Sequence, residues 1–483
     1  MSQQGKNGES FKNKLLKYLY PATDFGGGAW KAYFSTYITM LYTDIYLIPV
    51  VLAGMLELVS SFMGWFSGPI WGTFLDRVTL KKGKYWQWVM IGATGEALIY
   101  ITIFALPSLT SNPSSLAYLI FILAASLSLA SAVNNTTLIA LYPRLGQSAE
   151  DRSFLAIGRS IGRTSSKTVF GYLTPILLLF FTSRGGSDAN GWAMTGYVLG
   201  IAGLLFYLAF ALFLRTSDVE KQAIAERNVP KQARKKVPLT AVIKGVVTNG
   251  PLLVMFLFFF LHKLYDLGFQ TLTASFFFKY YVGDMAALGT FFTFRTMSQA
   301  IGVALGIAWL KIFKDSKRAF VAAGILHVIV LVISVFVVGK VSTIVFILTM
   351  SASQIFVGLM EAYTLPFFAA ASDYATLKTG VRTDGLNMSV YGLALRVSTT
   401  VATVVRVSIL AAVGYNAALY VDGVGPSQAV LNQFAYFQTL YPLILAAVAV
   451  ALVAFFYPIT DKKLQEIKDE LNRREQADNL VKA

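Results

Sequence analysis

Long apolar segments recur along this chain and constrain its fold more than any other feature of the sequence. A helix needs about 20 consecutive, mainly apolar residues to cross the hydrocarbon layer of a bilayer. Charged residues make up only 14% of the chain, whereas a soluble domain uses about 25%. The sequence therefore predicts an all-α integral membrane protein. Its twelve predicted spans are residues 24–43, 48–74, 86–106, 116–143, 154–182, 193–214, 248–280, 287–312, 319–339, 343–372, 387–414 and 435–458.

Basic residues are concentrated in alternate loops. They cluster before the first span, after the second, in the stretch Arg215–Lys236, after the eighth span (Lys314, Lys317 and Arg318) and after the last span, whereas the intervening loops hold few beyond Arg184 and Lys340. Lys and Arg are enriched in cytoplasmic loops. This pattern predicts a multi-pass protein of the inner (cytoplasmic) membrane with both termini in the cytoplasm. It also accounts for the net charge of +16, so no nucleic-acid partner is expected.

The longest polar stretch divides the predicted spans into six and six. We predict an N-terminal six-helix bundle at residues 1–214, a basic cytoplasmic central loop at 215–247, a C-terminal six-helix bundle at 248–458 and a cytoplasmic tail at 459–483. Parallel six-helix repeats are typical of major facilitator carriers, whose solute site lies near the bilayer midplane at the repeat interface. The prediction is thus a 12-helix major facilitator fold, with two bundles related by pseudo-two-fold symmetry.

The residue types present argue against metal chemistry and enzymatic activity. The chain has no cysteine, and its two histidines, His262 and His327, lie on different spans. A thiolate or histidine-rich metal site is therefore not expected. No combination of a nucleophile, a histidine and an acid stands out either. We predict a protein that is not an enzyme and that needs no metal and no cofactor.

Three polar segments at the ends of spans form the most specific motifs. They are GPIWGTFLDRVTLKKGKYWQW at Gly68–Trp88, VPLTAVIKGVVTNGPLL at Val237–Leu253 and SDYATLKTGVRTDGLNMSVYG at Ser372–Gly392. Together they make the chain similar to the glycoside–pentoside–hexuronide:cation symporter family. The resemblance covers almost the whole chain. It implies a major facilitator fold, alternating access, and sugars or glycosides that move with sodium ions or protons.

The chain departs from this family at the acidic positions. The resemblance implies that the carboxylates that bind cation and sugar on spans one, two and four fall on uncharged residues here. These residues are Gly28, Gly64, Gly68 and Asn135. The family's sodium site is therefore expected to be lost. The basic positions are retained, because the sugar-contacting arginine of span five maps to Arg159 and the lysine of span eleven maps to Arg396.

Charged residues inside the predicted spans are the main candidates for the site, because a charge at mid-bilayer costs at least about 2.5 kcal/mol. Arg159, Arg163 and Lys167 follow one another at four-residue steps. We predict that Arg159 binds solute. The alternative is that these bases form ion pairs across the bundle with Glu96 or Glu361. Arg396 has the same two readings, solute contact or a structural pair with Glu361.

Three acids are candidates for carrying a proton, namely Glu57, Glu361 and Asp266. Glu57 lies on the face of span two that holds Gly64, or alternatively is a hydrated acid near the outer mouth. Asp266 follows His262 by four residues, a spacing that brings the two side chains together on an α-helix. Such a pair is either a proton relay or a local charge pair.

Uncharged side chains complete the predicted solute site. Asn135, Trp30 and Tyr391 are expected to contact solute together with Arg159, Arg396 and Glu361. Sugar rings stack well on aromatic side chains, although Trp30 has an alternative place in the core of its bundle. A membrane helix that carries many aromatic residues uses most of them for packing and at the interface.

These observations predict a secondary transporter for a sugar or glycoside that works by alternating access. Candidate bases outnumber candidate acids in the spans, which favours uronides or other acidic sugars. Coupling is expected to use protons, or to be absent, rather than to use sodium. The expected partners are the sugar, protons and membrane lipids, and the protein is expected to be a monomer. The alternatives are a lysolipid or lipid-linked sugar transporter of the same fold, and a non-transporting sugar sensor.

Overall fold

The computed structural model describes residues 11–78, 80, 83–106, 112–146, 149–185, 187–225, 249–379, 384–421 and 425–482. Within these residues the chain is helical apart from turns and one isolated bridge between Leu80 and Gly83. The helices are α1 (Phe11–Met40), α2 (Val50–Arg77), α3 (Tyr85–Ala105), α4 (Pro113–Leu145), α5 (Ala149–Gly185), α6 (Asp188–Arg215), α7 (Asp218–Ala225), α8 (Gly250–Val282), α9 (Ala287–Phe313), α10 (Ser316–Val337), α11 (Thr343–Thr379), α12 (Asp384–Ala412), α13 (Ala418–Val421), α14 (Gln428–Gln438), α15 (Leu440–Phe456) and α16 (Asp461–Lys482).

The helices confirm the prediction of an all-α membrane protein. In the described part of the chain, ten helical segments are long and apolar enough to cross a bilayer, and α14 and α15 together form one of them. Helices α1 and α5 have 30 and 37 residues but do not meet that hydropathy criterion. The reason is chemical, since these two helices carry charged residues that pair with each other. The twelve predicted spans correspond to these ten segments together with α1 and α5.

Helix α8 is not a regular α-helix. It contains two π-helical stretches, Leu264–Thr271 and Phe277–Val282. A π-helical turn holds more residues than an α-helical turn and often marks a functional site. Each π-helical stretch therefore changes the direction in which the following side chains point, compared with an ideal α-helix. This irregularity changes which side chains of α8 meet one another.

The chain divides into two compact units. Unit 1 contains Met1–Gln232 and Tyr415–Gly425, and unit 2 contains Ala233–Gly414 and Pro426–Ala483. Residues 226–248, which include most of the predicted central loop, lie outside the described residues. So do parts of the three motifs, namely residues 79, 81–82 and 380–383 and the side chains of 379–389.

Unit 2 relies on a close crossing of α9 and α11. A Cβ atom on Gly302 would lie 2.0 Å from the carbonyl oxygen of Ile355, and one on Gly358 would lie 2.1 Å from that of Gln299. Without side chains at these two positions, the two backbones can approach closely. Membrane helices commonly use small residues in this way, because lipid supplies no hydrophobic driving force for association.

In unit 1, α7 supplies a cap for the first turn of α3. Glu220 of α7 is 1% exposed, and its carboxylate accepts hydrogen bonds from the backbone N–H groups of Lys84, Tyr85 and Trp86. Burial raises the pKa of the Glu220 carboxyl, although these three donors favour its charged form. The first N–H groups of a helix have no partner within it. The carboxylate supplies that partner and fixes α7 against the loop that joins α2 to α3.

Candidate functional site

An ion pair between α1 and α5 is the main polar contact of unit 1. The Arg159 Nε donates to Asp24 Oδ2 at 2.5 Å and its Nη2 to Asp24 Oδ1 at 3.3 Å. The two side chains are 16% and 14% exposed. The Arg159 guanidinium also donates to the Tyr20 hydroxyl at 3.3 Å. The arginine predicted to bind solute is thus held by a carboxylate of the neighbouring helix.

This pairing differs from the ion pairs expected for the basic residues of α5. Arg159 pairs with Asp24, whereas Glu96 pairs with Lys31 and Glu361 accepts a hydrogen bond from Gln299. The alternative with Glu96 or Glu361 as the partner of Arg159 was therefore wrong. The physical reason is the packing of α5 on α1, which brings Asp24 to the basic face of α5.

Small residues of α5 allow this packing. A Cβ atom on Gly158 would lie 2.7 Å from the Pro21 Cγ, and one on Gly162 would lie 2.6 Å from the Pro21 carbonyl oxygen. One turn further, the Ser166 hydroxyl donates to the Phe25 carbonyl oxygen at 2.7 Å. These three positions recur at four-residue steps, and each directly precedes one of the bases Arg159, Arg163 and Lys167. The small stripe therefore places the basic stripe beside α1.

Gly28 lies at the same crossing. A Cβ atom on Gly28 would lie 1.8 Å from the Ser166 Oγ and 2.5 Å from its Cβ. An aspartate therefore cannot occupy this position while the helices keep their present distance. The carboxylate of α1 is instead at Asp24, one turn earlier. The absence of the family's acid at Gly28 thus follows from how closely α1 and α5 pack.

Arg163 is the more accessible of the two arginines that face Asp24. Its Nε lies 3.5 Å from Asp24 Oδ1, and its side chain is 60% exposed. One carboxylate therefore faces two guanidinium groups. The group of Asp24, Arg159 and Arg163 carries a net positive charge of one.

A second polar cluster of unit 1 surrounds Glu96 of α3. Its side chain is completely buried and lies 3.3 Å from the Lys31 Nζ of α1. From α4, the Ser131 hydroxyl and the Asn134 amide donate to the same carboxylate, each at 2.8 Å. A buried charge is tolerated when it is paired and hydrogen-bonded. These contacts give Glu96 a structural role between three helices.

Three other predicted residues of unit 1 lie in different surroundings. Trp30 is 1% exposed and stacks on Tyr207, with ring centroids 5.5 Å apart, which favours its alternative place in the core. Asn135 is exposed, whereas the preceding Asn134 turns inward to Glu96. The half-buried Glu57 accepts a hydrogen bond from the Thr39 hydroxyl at 2.5 Å.

In unit 2, Asp266 lies between two bases. It accepts a hydrogen bond from Arg295 of α9, and its Oδ2 lies 3.6 Å from the Lys263 Nζ. Arg295 also donates to the side chain of Gln270 at 3.3 Å. All of these side chains are buried. This environment stabilises the charged carboxylate, so it favours a structural ion pair over a proton carrier at Asp266.

The predicted contact between His262 and Asp266 was wrong. The His262 Nδ1 instead lies 2.8 Å from the Tyr265 hydroxyl, while Asp266 turns to Arg295. The i,i+4 rule requires α-helical geometry. Here the π-helical stretch that begins at Leu264 lies between the two residues. The sequence spacing by itself does not reveal that irregularity.

The remaining candidates lie on α11 and α12. Glu361 is exposed and accepts a hydrogen bond from the Gln299 amide at 2.6 Å. Tyr391 stacks on Phe259, with ring centroids 4.3 Å apart. Arg396 is exposed. Arg406, two to three turns further along α12, is completely buried and donates to the Gly268 carbonyl oxygen at 3.4 Å.

Sequence reasoning missed Asp24, Lys31, Asn134 and Tyr265 as members of polar clusters. Asp24 and Lys31 lie seven residues apart on α1, and each pairs with a charge that had been recognised. Their own position in a predicted span was a signal, because charges in membrane helices need partners. The sequence could not indicate which partner each one meets.

Comparisons with known proteins agree with the helical architecture. The family model described as MFS/sugar transport protein matches residues 19–461. The isoprimeverose transporter of Lactiplantibacillus pentosus is 24% identical over 406 residues, which cover 83% of this chain and 80% of the relative. The putative sulfoquinovose importer of Escherichia coli (strain K12) is 24% identical over 471 residues, which cover 96% and 94%.

A solved structure shows the fold directly. The crystal structure of a bacterial homologue of the human lysosomal transporter Spinster superposes with a TM-score of 0.66 and 11% identity. The match covers 96% of this chain and 99% of the homologue. At this level of identity the likeness concerns the fold alone. It confirms the predicted 12-helix major facilitator fold.

Proposed function

We propose, from the premise that the chain belongs to the MFS/sugar transport protein family, that it is a secondary transporter for sugars or glycosides. It works by alternating access and not as an enzyme. It lies in the inner membrane with both termini in the cytoplasm, and it functions as a monomer surrounded by lipid. Its relatives include proteins named for isoprimeverose and sulfoquinovose. The name of the second denotes a sulfo-sugar, which supports an acidic solute.

The observation that carries the choice of solute is the excess of positive charge in each unit. In unit 1 Asp24 faces both Arg159 and Arg163, and in unit 2 Asp266 faces both Lys263 and Arg295. Each carboxylate faces two bases, so each group by itself carries one positive charge, and the exposed Arg163 can meet a solute. A sugar acid would offset that charge. A guanidinium can also hold a carboxylate or sulfonate through two parallel hydrogen bonds.

The contacts favour Arg163, one helical turn after Arg159, as the arginine that binds solute. Arg159 already has both carboxylate oxygens of Asp24 within reach and is 16% exposed, whereas Arg163 is 60% exposed. Arg163 is therefore the primary contact, and Arg159 holds Asp24 in position. Arg396, Glu361, Asn135 and Tyr391 remain proposed members of the solute site.

Coupling to protons, or facilitated transport without coupling, fits the contacts of the acidic side chains better than coupling to sodium. Asp24 is neutralised by Arg159, and Glu96 by Lys31. A sodium ion would have to compete with these bases for the carboxylate oxygens. Glu57 and Glu361 each accept a hydrogen bond from a neutral side chain, and both remain proposed proton carriers.

The solute prediction is tested with the purified chain in proteoliposomes. We expect counterflow of glucuronate and sulfoquinovose, weaker counterflow of neutral glycosides and none of lysolipids. The substitution Arg163→Gln should lower uptake of the acidic sugars by roughly tenfold, because a charge-assisted hydrogen bond contributes about 1.5–3 kcal/mol. Neutral sugars should change by less than about twofold, which corresponds to roughly 0.4 kcal/mol.

The matched control is Arg473→Gln, which removes an arginine that is 80% exposed on α16 and should leave all solutes unaffected. Equal losses for acidic and neutral sugars in Arg163→Gln would assign Arg163 a structural role. Accumulation driven by a sodium gradient would contradict the proposed coupling. Counterflow of lysolipids alone would replace the sugar with a lipid solute.

A further inference from the structure

Three buried side chains of unit 2 form a continuous hydrogen-bonded chain that none of the roles above uses. The His262 Nδ1 lies 2.8 Å from the Tyr265 hydroxyl, and that hydroxyl lies 3.1 Å from the His327 Nε2. The His327 Nδ1 then lies 3.1 Å from the carbonyl oxygen of Ser353. This row of hydrogen bonds therefore crosses from α8 to α10 and ends on the backbone of α11.

The carbonyl group at its end fixes the direction of every hydrogen bond. A carbonyl oxygen only accepts, so the His327 Nδ1 carries a proton and its Nε2 accepts when the ring is neutral. The Tyr265 hydroxyl must then donate to the His327 Nε2. Because its one proton is used there, it accepts from the Nδ1–H of His262. Both histidines thus take the Nδ1–H tautomer.

The hydrogen-bonded side chains are buried and lie beside several charged groups. Tyr265, His327 and Ser353 are at most 1% exposed, and His262 is 5% exposed. The neutral Phe258 ring stacks on His262 at 5.8 Å. The charged groups nearby are Lys263 and Asp266 on α8 and Arg295 on α9, and Glu361 on α11 also acts on Lys263. Helices α10 and α11 contribute only His327 and the Ser353 carbonyl to the chain.

We propose that His262, Tyr265 and His327 form a proton relay that carries the coupling proton of sugar transport. The proposal rests on the proton-coupled form of the function proposed above, not on the facilitated form. A proton binds the Nε2 of His262, which is the less buried of the two histidines. The His262 Nδ1 proton passes to the Tyr265 oxygen, and the original hydroxyl proton passes to the His327 Nε2. One proton has entered, and one positive charge has moved from His262 to His327. The reverse transfers return the charge to His262, whose Nε2 releases the proton.

The charges around the relay give it a preferred direction. Lys263 directly follows His262, and Arg295 reaches the same Asp266. Lys263 repels a proton that stays on His262, whereas Arg295 and Asp266 act on both histidines. On His327 the charge lies further from Lys263 along the relay. There the Nδ1–H donates to the Ser353 carbonyl oxygen, and this hydrogen bond is stronger when the donor ring is charged. The relay therefore moves a proton away from Lys263.

The first test replaces the central hydroxyl of the relay. Tyr265→Phe keeps the ring, which contacts His262 and His327 at centroid distances of 5.2 and 5.9 Å, and removes the proton path. We expect accumulation driven by a pH gradient to fall at least about tenfold, or roughly 1.4 kcal/mol, while counterflow persists. The matched control is Tyr363→Phe, whose buried hydroxyl donates to the Gly306 carbonyl oxygen at 2.6 Å and which should keep both activities.

The second test reads the protons directly and needs no transport. The chain contains two histidines, so ¹⁵N-histidine labelling of the full-length protein reports these two rings alone. We expect both in the Nδ1–H tautomer at alkaline pH. On acidification the added charge should appear at His327 in the wild type. In Tyr265→Phe it should remain at His262.

The outcomes separate the relay from the function on which it rests. A pH-gradient response that is equal in the wild type and Tyr265→Phe would overturn the relay alone. A wild type that exchanges sugar but ignores a pH gradient would overturn proton coupling, and with it the role of the relay in transport. An Nε2–H tautomer on His327 would overturn the hydrogen-bond directions themselves.

Discussion

Replacement of Asp24 by asparagine is expected to abolish sugar transport and to destabilise the folded protein by about 3 kcal/mol, because removing one partner of a buried ion pair leaves an uncompensated charge. Asp24 is the shared partner of Arg159 and Arg163. Without its charge, two guanidinium groups face each other at the crossing of α1 and α5. The loss should appear as a lower melting temperature in detergent and as absent counterflow.

Two further variants make this prediction specific. Asp24→Asn combined with Arg159→Gln removes both buried charges and should recover most of the stability but not transport. Asp469→Asn changes an exposed carboxylate of α16 that accepts from the Gln465 amide, so it should match the wild type. Transport at the wild-type level in Asp24→Asn would show that the ion pair is dispensable.

Replacement of Gly28 by alanine is expected to be the most damaging single methyl addition in unit 1. The new Cβ would lie 1.8 Å from the Ser166 Oγ, so α1 and α5 would have to separate. This separation would also pull Asp24 and Arg159 apart. Overpacking of this kind costs about 1–3 kcal/mol. This loss should be visible even though alanine favours a helix over glycine by about 1 kcal/mol. The measurement is thermal unfolding together with counterflow.

A compensating change tests the steric cause. Ser166→Gly removes both atoms that the new methyl group would meet, so the double variant should recover stability. Gly392→Ala is the matched control, because a Cβ there meets nothing within 4 Å, and it should leave the melting temperature unchanged or slightly raised. If Ser166→Gly brings no recovery, the damage has another source than this contact. The same geometry implies that Gly28→Asp cannot restore a cation-binding acid.

The comparison of prediction and structure is clearest on α5. The four-residue spacing of Arg159, Arg163 and Lys167 indicates one basic face, because helical periodicity is a local property of the chain. Gly158, Gly162 and Ser166 repeat with the same spacing beside it and indicate a close helix contact. Neither pattern reveals that α1 is the helix in contact. The expected acids, Glu96 and Glu361, were for that reason the wrong partners for Arg159.

The sequence by itself determined the membrane class, the number of spans and the family. These depend on hydrophobic length and on motifs that a short window of residues contains. Only the tertiary structure decided the pairing of Asp24 with Arg159, the burial of Trp30 against Tyr207 and the turn of Asp266 toward Arg295. Each of these depends on which helices are neighbours or on a π-helical turn in α8. Such features arise from packing between segments far apart in sequence, and no local pattern encodes them.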